Sequence, residues 1–437
     1  MITFNDNNEI TDGRQKGAVL VCVNFGTDIS DSERELEGLA AAAGLEVLGI
    51  LEQTRERPDT ATYIGKGKVE ELKDAVEKLG ADTVLFNDEL SGVQLRNLEE
   101  ALGVSVIDRT ILILDIFADR AVSSIGKLEV ELAQLKYRLP RLTGFGRSLS
   151  RTGGGIGTRG PGEKKLETDR RHIRARMDDI RREIRDAEKS RDLNRKQREK
   201  SEIPVAALVG YTNAGKSAVM NRFLAMNGTE ERAVLEKDML FATLDVSHRN
   251  IRMEDNREFI LIDTVGFVSR LPHTLVEAFK GTLEEALYAD VLIEVVDVSS
   301  GDYEFKMDVT DRLLADIGAG DIPKIIAYNK IDLLEEDRIR ISSADDYVKI
   351  SAREGTGMET LLEKTAAALF PDRQETEVLI PYDKGSIISY LCEKCSVLEM
   401  DYRDNGTYLR VMLDGPDRRR LESYILQQKG RQTWQNT

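Results

Sequence analysis

The sequence has 437 residues, 41% hydrophobic and 32% charged, with a formal net charge of −16 at pH 7. Such a chain should hold two to four domains at about 150 residues each, and no apolar run reaches the roughly 18 residues of a membrane span. The polar, acidic stretch Met1–Glu9 predicts no secretory signal and three cysteines are too few for a disulfide framework, so we expect a cytoplasmic protein.

The first part of the chain alternates short apolar runs with amphipathic stretches. Strands are predicted over 18–25, 45–51, 83–86 and 104–107, and helices over 32–43, 69–79 and 93–102. Because strands that alternate with helices are typical of parallel sheets, the pattern predicts an α/β domain over 1–122.

Two apolar seams with alternating spacings of three and four mark the segment 123–200. One seam holds Ile125, Leu128, Leu132, Leu135, Leu139 and Leu142, and the other holds Ile173, Met177, Ile180, Ile184 and Ala187. This spacing predicts an antiparallel helical hairpin, with the Gly/Arg-rich stretch 144–165 as a mobile tip loop. Pro140 should end or kink the first helix near Leu139, and 189–200 is either a linker or a helix extension.

Positive charge is concentrated in the same segment. From Lys136 to Lys200 the chain holds 21 lysines and arginines against 10 acidic residues. Arginine pairs bidentately with phosphate, so this segment predicts contact with RNA phosphates, the alternative being a solvated helix face. The candidate RNA-binding residues are Arg147, Arg151, Arg159, Lys164, Lys165, Arg170 and Arg171.

A phosphate-binding loop follows the apolar run 205–209. It reads Gly210-Tyr211-Thr212-Asn213-Ala214-Gly215-Lys216-Ser217 and precedes an amphipathic helix, as the G-x-x-x-x-G-K-S motif requires. Backbone N–H groups of such a loop surround phosphates at the positive end of the helix. We expect Lys216 to reach the β- and γ-phosphates and Ser217 to bind Mg²⁺.

Two further segments complete the predicted phosphate and magnesium site. The strand over 258–263 ends in Asp263, a second carboxylate for Mg²⁺, and Gly266 can contact the γ-phosphate through its N–H group. The segment 241–245 supplies Phe241 to the nucleotide site and Thr243 as a switch ligand to Mg²⁺. The alternative is that Thr243 is an ordinary surface residue. The candidate catalytic residues are Lys216, Thr243, Gly266 and Asn213.

Residues after two later strands predict guanine as the base. Asn329, Lys330 and Asp332 follow the run 324–328, and a carboxylate at Asp332 accepts from guanine N1–H and N2–H₂, neither of which adenine offers. Ser351 and Ala352 can present backbone N–H groups to guanine O6. The residue after Gly266 is Phe267, which cannot orient water as the glutamine of signalling GTPases does, so intrinsic hydrolysis should be slow.

The remaining chain predicts a fourth unit and completes the fold. Strands are predicted over 377–381, 397–402 and 407–413, and helices over 385–395 and 416–427. The predicted class is therefore α/β: a parallel α/β domain (1–122), a basic hairpin (123–200), a P-loop GTPase domain with helices on both faces of a mostly parallel sheet (201–372), and a small α+β domain (373–437).

With these motifs in place, the chain resembles the HflX-type GTPases over nearly its whole length. The resemblance rests on the stretches 63–68, 106–110, 128–142, 153–163, 210–217 and 241–245. It implies binding to the large ribosomal subunit and its rRNA, and the splitting or rescue of stalled ribosomes under stress. It also implies that Asn213 holds K⁺ near the phosphates, so K⁺ dependence joins Mg²⁺ as a hypothesis.

The expected function is a GTP hydrolase that binds GTP and GDP, with low intrinsic activity and stimulation by ribosomes. We expect a monomer with at most a peripheral association with ribosomes or membrane. Two alternatives remain open: a GTP-timed factor for ribosome assembly or RNA processing, and a GTP-dependent switch that binds a protein partner. Steep loss of binding with salt would favour phosphate contacts over a protein partner.

Overall fold

A computed structural model of the chain describes residues 15–26, 28–141, 161–200, 203–227, 240–241, 247–269, 284–334 and 346–426. Within the helix 161–200, the side chains of 161–166, 188 and 190–200 lie outside this description. None of the helices in these ranges combines the length and apolar character that crossing a bilayer demands.

The N-terminal region is a four-stranded parallel sheet with helices packed on it. Its strands are β1 (Lys16–Asn24), β2 (Leu45–Thr54), β3 (Thr83–Phe86) and β4 (Ser105–Asp108), in the order β2-β1-β3-β4. Its helices are α1 (Ser30–Ala42), α2 (Lys66–Leu79) and α3 (Gly92–Leu102). The central strand β1 is buried along almost its whole length because helices cover both faces of the sheet, as is usual for parallel sheets.

A further helix, α4 (Arg109–Arg120), follows β4 directly and was not predicted from the sequence. Asp108 caps its first turn by accepting a hydrogen bond from the N–H of Ile111 at 2.9 Å. Buried residues face the core from more than one side of α4, including Leu112, Ile113 and Phe117. The apolar run at the start of α4 is short, and such a run does not distinguish a buried helix from a buried strand, which explains the omission.

The hairpin segment forms two helices, α5 (Ser124–Arg141) and α6 (Pro161–Lys200). The two predicted seams meet in one apolar cluster, composed of Leu128, Leu132, Leu135, Leu139, Ile173, Met177, Ile180 and Ile184. Residues 189–200 continue α6, which settles the choice between a linker and a helix extension. Pro140 lies inside α5, which is described as far as Arg141, two residues beyond the expected end or kink near Leu139. The guanidinium of Arg141 donates to the carbonyl of Tyr137 at 3.0 Å and supports this last turn.

The central region is a six-stranded sheet in the order β10-β9-β8-β5-β7-β6, in which only β6 runs antiparallel, to β7. Its strands are β5 (Val205–Val209), β6 (Ser247–Arg252), β7 (Glu258–Asp263), β8 (Val291–Asp297), β9 (Lys324–Asn329) and β10 (Tyr347–Lys349). Its helices include α7 (Lys216–Met226), α8 (Tyr303–Ile317) and α9 (Met358–Leu369). The carboxyl ends of β5, β7 and β9 meet at one edge, where open α/β sheets bind their ligands.

The C-terminal region is a three-stranded antiparallel sheet with one face covered by a helix. It contains β11 (Gln374–Ile380), α10 (Gly385–Lys394), β12 (Ser396–Arg403), β13 (Gly406–Leu413) and α11 (Gly415–Arg420). The helix predicted over 416–427 was wrong in its length. The chain leaves α11 because Ile425 forms a bridge with Val378 and Leu426 donates to the carbonyl of Glu377 at 2.8 Å.

These regions match the predicted α/β fold class, whereas the domain boundaries themselves stay a prediction. The N-terminal and central regions share one apolar core, in which the ring of Phe117 packs edge-on against Phe241 with centroids 4.5 Å apart. A Cβ added at Gly38 of α1 would lie 3.0 Å from Leu240. The N-terminal region therefore packs directly beside the predicted nucleotide site.

Candidate nucleotide site

The loop from Gly210 to Ser217 joins the central strand β5 to the start of α7. Gly210 (φ 138°) and Gly215 (φ 97°) adopt backbone angles that other residues rarely reach. A Cβ at Gly210 would lie 2.3 Å from the carbonyl oxygen of Val295, and one at Gly215 would lie 2.3 Å from the side-chain amide of Asn329. Both glycines are required because the loop turns tightly against its neighbours at the positive end of α7.

The side chain of Lys216 lies inside this loop and is 5% exposed. Its ammonium group donates to the carbonyls of Gly210 at 3.1 Å and Tyr211 at 2.9 Å. Burial lowers the pKa of Lys216 to about 8, although the carboxylate of Asp263 works in the opposite direction. A bound phosphate would favour the charged form, so the loop presents a cation suited to phosphate.

Asp263 lies at the end of β7 and is 1% exposed. The hydroxyl of Ser217 donates to its Oδ2 at 2.7 Å, while its Oδ1 is buried with no hydrogen-bond partner among the described residues. Burial raises the pKa of Asp263, and Lys216 and Ser217 oppose that effect. A buried carboxylate oxygen beside a hydroxyl suits Mg²⁺, which prefers oxygen ligands. Thr243, the other predicted ligand, lies outside the described residues.

The segment after Asp263 lies against the phosphate loop. Thr212 donates its N–H to the carbonyl of Phe267 at 2.7 Å, and Phe267 donates to the carbonyl of Gly210 at 3.1 Å. A Cβ at Gly266 would lie 2.6 Å from the Cα of Thr212 and 3.0 Å from the ammonium of Lys216. Phe267 is 2% exposed and packs in the core, so its ring cannot orient a water molecule.

The predicted base-recognition segments are connected to the phosphate loop through Asn329. Its amide donates to the carbonyl of Ala214 at 2.8 Å, and its oxygen accepts from the N–H of Ala352 at 3.0 Å. Lys330 forms an ion pair with Asp297 at 2.6 Å. Asp332 is partly buried in a short 3₁₀ turn, and Ser351 is fully buried. Asn329 thus joins the loop, 115 residues before it in the chain, to the segment of Ala352, 23 residues after it.

Phe241 packs against the loop, and Asn213 belongs to it. Phe241 is buried and donates its N–H to the hydroxyl of Thr212 at 2.8 Å, so it supports the loop from behind. Asn213 has a left-handed backbone (φ 61°), which asparagine tolerates better than most residues.

One polar cluster beside the loop was missed by the sequence interpretation. The carboxylate of Glu35 on α1 accepts from the hydroxyls of Tyr211 and Ser269 and pairs with Arg109 at 2.5 Å. Arg109 belongs to the stretch 106–110 that supported the resemblance, but no role could be assigned to it from sequence. A cavity of about 750 Å³ lies beside this cluster, between α1, the loop and α8.

The predicted RNA-binding residues are only partly described. Arg170 and Arg171 lie on α6, where Arg171 is exposed and Arg170 is partly buried. Lys164 and Lys165 also belong to α6, but their side chains lie outside the described residues, as do Arg147, Arg151 and Arg159.

Comparisons with known proteins cover almost the whole chain. Family models described as the N-terminal and middle regions of a GTP-binding GTPase match residues 30–118 and 120–198, and one described as a 50S ribosome-binding GTPase matches 205–330. The chain is 50% identical over 409 residues to GTPase HflX of Caldanaerobacter subterraneus (94% of both chains). It is 40% identical over 412 residues to that of Escherichia coli (92% of this chain and 95% of the other).

Among solved structures, a GTP-binding protein of Sulfolobus solfataricus in complex with GDP is 26% identical, covering 81% of this chain and 98% of its own, with a TM-score of 0.44. The identity to curated relatives extends through the N-terminal, hairpin and central regions alike. The chain therefore belongs to the HflX family of P-loop GTPases.

Proposed function

We propose that this protein binds GTP with Mg²⁺, hydrolyses it to GDP and phosphate, and uses the cycle on the large ribosomal subunit to split or rescue stalled ribosomes. The proposal that this protein binds and hydrolyses GTP rests on the arrangement of Lys216, Ser217 and Asp263. There, a buried cation, a hydroxyl and a carboxylate oxygen without a partner among the described residues lie side by side.

Each residue of the site has a proposed role in hydrolysis. Lys216 would bind the β- and γ-phosphate oxygens, and Ser217, Asp263 and Thr243 would hold Mg²⁺, which when bound neutralises charge developing on the phosphates. Gly266 would contact the γ-phosphate through its N–H group. Asn329, Lys330, Asp332, Ser351 and Ala352 would select guanine. Asn213 would hold K⁺ against the phosphates, as the family resemblance implies.

Slow hydrolysis by the isolated protein follows from Phe267. Its ring is buried and cannot orient the attacking water, so transition-state stabilisation must come from elsewhere. We propose that the ribosome supplies it. The match of 205–330 to a family described as 50S ribosome-binding supports this partner, as do the exposed arginines of α6.

The test compares GTP hydrolysis with and without purified large subunits in K⁺ buffer. We expect strong stimulation of the wild type and a large loss in Arg170→Gln/Arg171→Gln and in a deletion of 144–164. The matched control is Arg181→Gln/Arg182→Gln on the same helix, where each arginine already pairs with an aspartate, Asp178 or Asp179. Light scattering then reports whether intact ribosomes separate into subunits.

The outcomes distinguish the alternatives. Stimulation by precursor particles in preference to mature subunits would replace the rescue role with ribosome assembly. No stimulation by either particle, with binding to a cellular protein that survives RNase and high salt, would contradict a ribosomal role and leave the GTPase standing.

A further inference from the structure

Helix α4 starts at a contact with the segment that follows Gly266. Arg109, its first residue, is 3% exposed and donates to the carbonyl of Ser269 at 3.2 Å and to its hydroxyl at 3.3 Å. The same guanidinium donates to Asn87 at 2.9 Å and to Glu35 at 2.5 Å. The start of α4 is therefore bonded to the segment expected to respond to the γ-phosphate.

The Glu35 carboxylate extends this contact to the phosphate loop itself. It accepts from the hydroxyl of Tyr211 and, at 3.2 Å, from the N–H of Ser269, which also donates to the Tyr211 oxygen at 2.6 Å. Glu35 and Arg109 are 11% and 3% exposed, so separating them leaves a charge buried without its partner. Such a separation is unfavourable, so we expect the cluster to hold together.

Two turns further along, α4 contacts the second responsive segment. The ring of Phe117 packs edge-on against Phe241, and both rings are at most 2% exposed. Phe241 is bonded to Thr212 of the loop and precedes the predicted magnesium ligand Thr243 by two residues. Helix α4 thus contacts the described ends of both segments that we expect a bound γ-phosphate to order.

The residue before α4 holds the end of α5. Asp108 is fully buried and accepts from the N–H groups of Leu90 at 3.1 Å and Ile111 at 2.9 Å, and from the hydroxyl of Tyr137. Arg141, the last residue of α5, lies 3.5 Å from Asp108 and donates to the carbonyl of Leu90 at 2.9 Å. From Arg141 the chain continues into the Gly/Arg-rich stretch.

The adjacent residues Asp108 and Arg109 therefore contact different parts of the molecule. Asp108 contacts the end of α5, and Arg109 contacts Ser269. We propose that α4 transmits the nucleotide state from Ser269 and Phe241 to the last turn of α5, with Arg109 and Asp108 as positioning residues. The inference rests on the nucleotide binding proposed above, but it is independent of any ribosome. Coupling of this kind is reciprocal, so changes at the end of α5 must also alter the preference between GTP and GDP.

The first test is hydrogen exchange of the peptide 130–141 in the full chain without ribosomes. Exchange is compared between the complexes with Mg²⁺–GDP and with Mg²⁺ and a non-hydrolysable GTP analogue. We expect about a threefold or larger difference in the wild type, and less than half of it in Ser269→Ala and Phe117→Leu. Lys78→Ala, an exposed substitution on α2, should keep the full difference. Equal exchange in both complexes, or an undiminished difference in both variants, overturns the proposal.

The second test measures the reciprocal effect. Tyr137→Phe removes the hydroxyl that donates to Asp108. Tyr137 lies outside the nucleotide site and far from the phosphate loop in the sequence. We expect the ratio of GDP to GTP-analogue affinities to change by about threefold to tenfold. An unchanged ratio contradicts the coupling, whereas a wild type that binds neither nucleotide contradicts the proposed nucleotide site instead. Thermal unfolding of each variant establishes that it is folded. Arg109→Ala is avoided because it would leave the carboxylate of Glu35 buried without its cation.

Discussion

Asp263 combines deep burial with an oxygen that has no hydrogen-bond partner among the described residues. A carboxylate in that state is costly, because burial disfavours its charge, and Ser217 and Lys216 offset only part of the cost. A divalent cation would satisfy the free oxygen and favour the charged form. At the residue scale, the surroundings of Asp263 therefore suit a bound cation better than an empty site.

The proposed role of Asp332 in base specificity can be tested with a single substitution. Asp332→Asn replaces a carboxylate oxygen with an amide donor, which no longer suits the guanine N2 amine but suits the O2 carbonyl of xanthine. We expect GDP affinity to fall by about 100-fold or more and xanthosine diphosphate to become the better ligand. Calorimetric titration with both nucleotides measures this. Asp316→Asn on the exposed face of α8 is the control, and an unchanged preference would exclude Asp332 from base recognition.

The hypothesis of a potassium site at Asn213 makes a separate prediction. Hydrolysis in K⁺ should exceed that in Na⁺ by about tenfold, since a fixed cation stabilises charge on the phosphates. Asn213→Ala should remove the difference between the two cations while GDP binding persists. Steady-state phosphate release in matched chloride buffers measures it, and equal wild-type rates in Na⁺ and K⁺ would refute the hypothesis.

At the element scale, helix α4 is packed against several neighbouring elements, including α5, and one of its carboxyl groups is partly buried as a result. Its Asp115 is partly buried, and burial raises the pKa of that carboxyl to about 6 despite the attraction of Arg138. A folded pKa above the unfolded value near 3.8 means that the native state binds the proton more tightly. Stability should therefore fall as the pH rises from about 4 through 6.

Replacing Asp115 with asparagine removes this titration. Asp115→Asn should be more stable than the wild type at pH 8, by at most about 3 kcal/mol, with roughly half of that advantage at pH 5. Urea unfolding at both pH values tests the prediction. Asp119→Asn, on an exposed position of the same helix, serves as the control. An advantage that grows towards acid pH would show that the sign is wrong.

The regions of the whole molecule are joined by specific polar contacts as well as by shared core. Between the central and C-terminal regions, Arg373 pairs with Asp255 at 2.5 Å, Arg252 donates to the carbonyl of Glu393 at 3.0 Å and Asn256 donates to that of Cys395 at 3.1 Å. Although burial raises it, the pKa of Asp255 is lowered overall by hydrogen bonds from Arg257 and Arg373. This ion pair is therefore expected to stabilise the docking of the C-terminal region.

Loss of this contact should separate the unfolding of the two regions. Arg373→Ala leaves Asp255 with Arg257 alone, and we expect about 1–3 kcal/mol less docking free energy. Calorimetry should then resolve an earlier transition for the C-terminal region, which GDP does not shift. Arg410→Ala, which disturbs only pairs within the C-terminal sheet, is the control. A single unshifted transition in Arg373→Ala would contradict a stabilising role.

Much of this architecture was accessible from the sequence, since it depends on local pattern. The phosphate loop, the strand that ends in Asp263 and the seams of α5 and α6 are all encoded within short stretches of the chain. The loop is marked by its motif, the strand by an apolar run and the seams by their three-four spacing. The extent of α11 and the existence of α4 were not accessible. The first depends on a bridge to β11, and the second begins with an apolar run too short to distinguish a buried helix from a buried strand.

Sequence alone therefore determined the fold class and the family, and it proposed the residues for a nucleotide site. Only the tertiary structure decided which distant residues meet there, as when Asn329 joins Ala214 to Ala352. The cluster of Glu35, Arg109, Tyr211 and Ser269 is of the same kind. Its members come from segments up to 234 residues apart, so no local period marks them, and their meeting is dictated by how the N-terminal sheet packs on the central one.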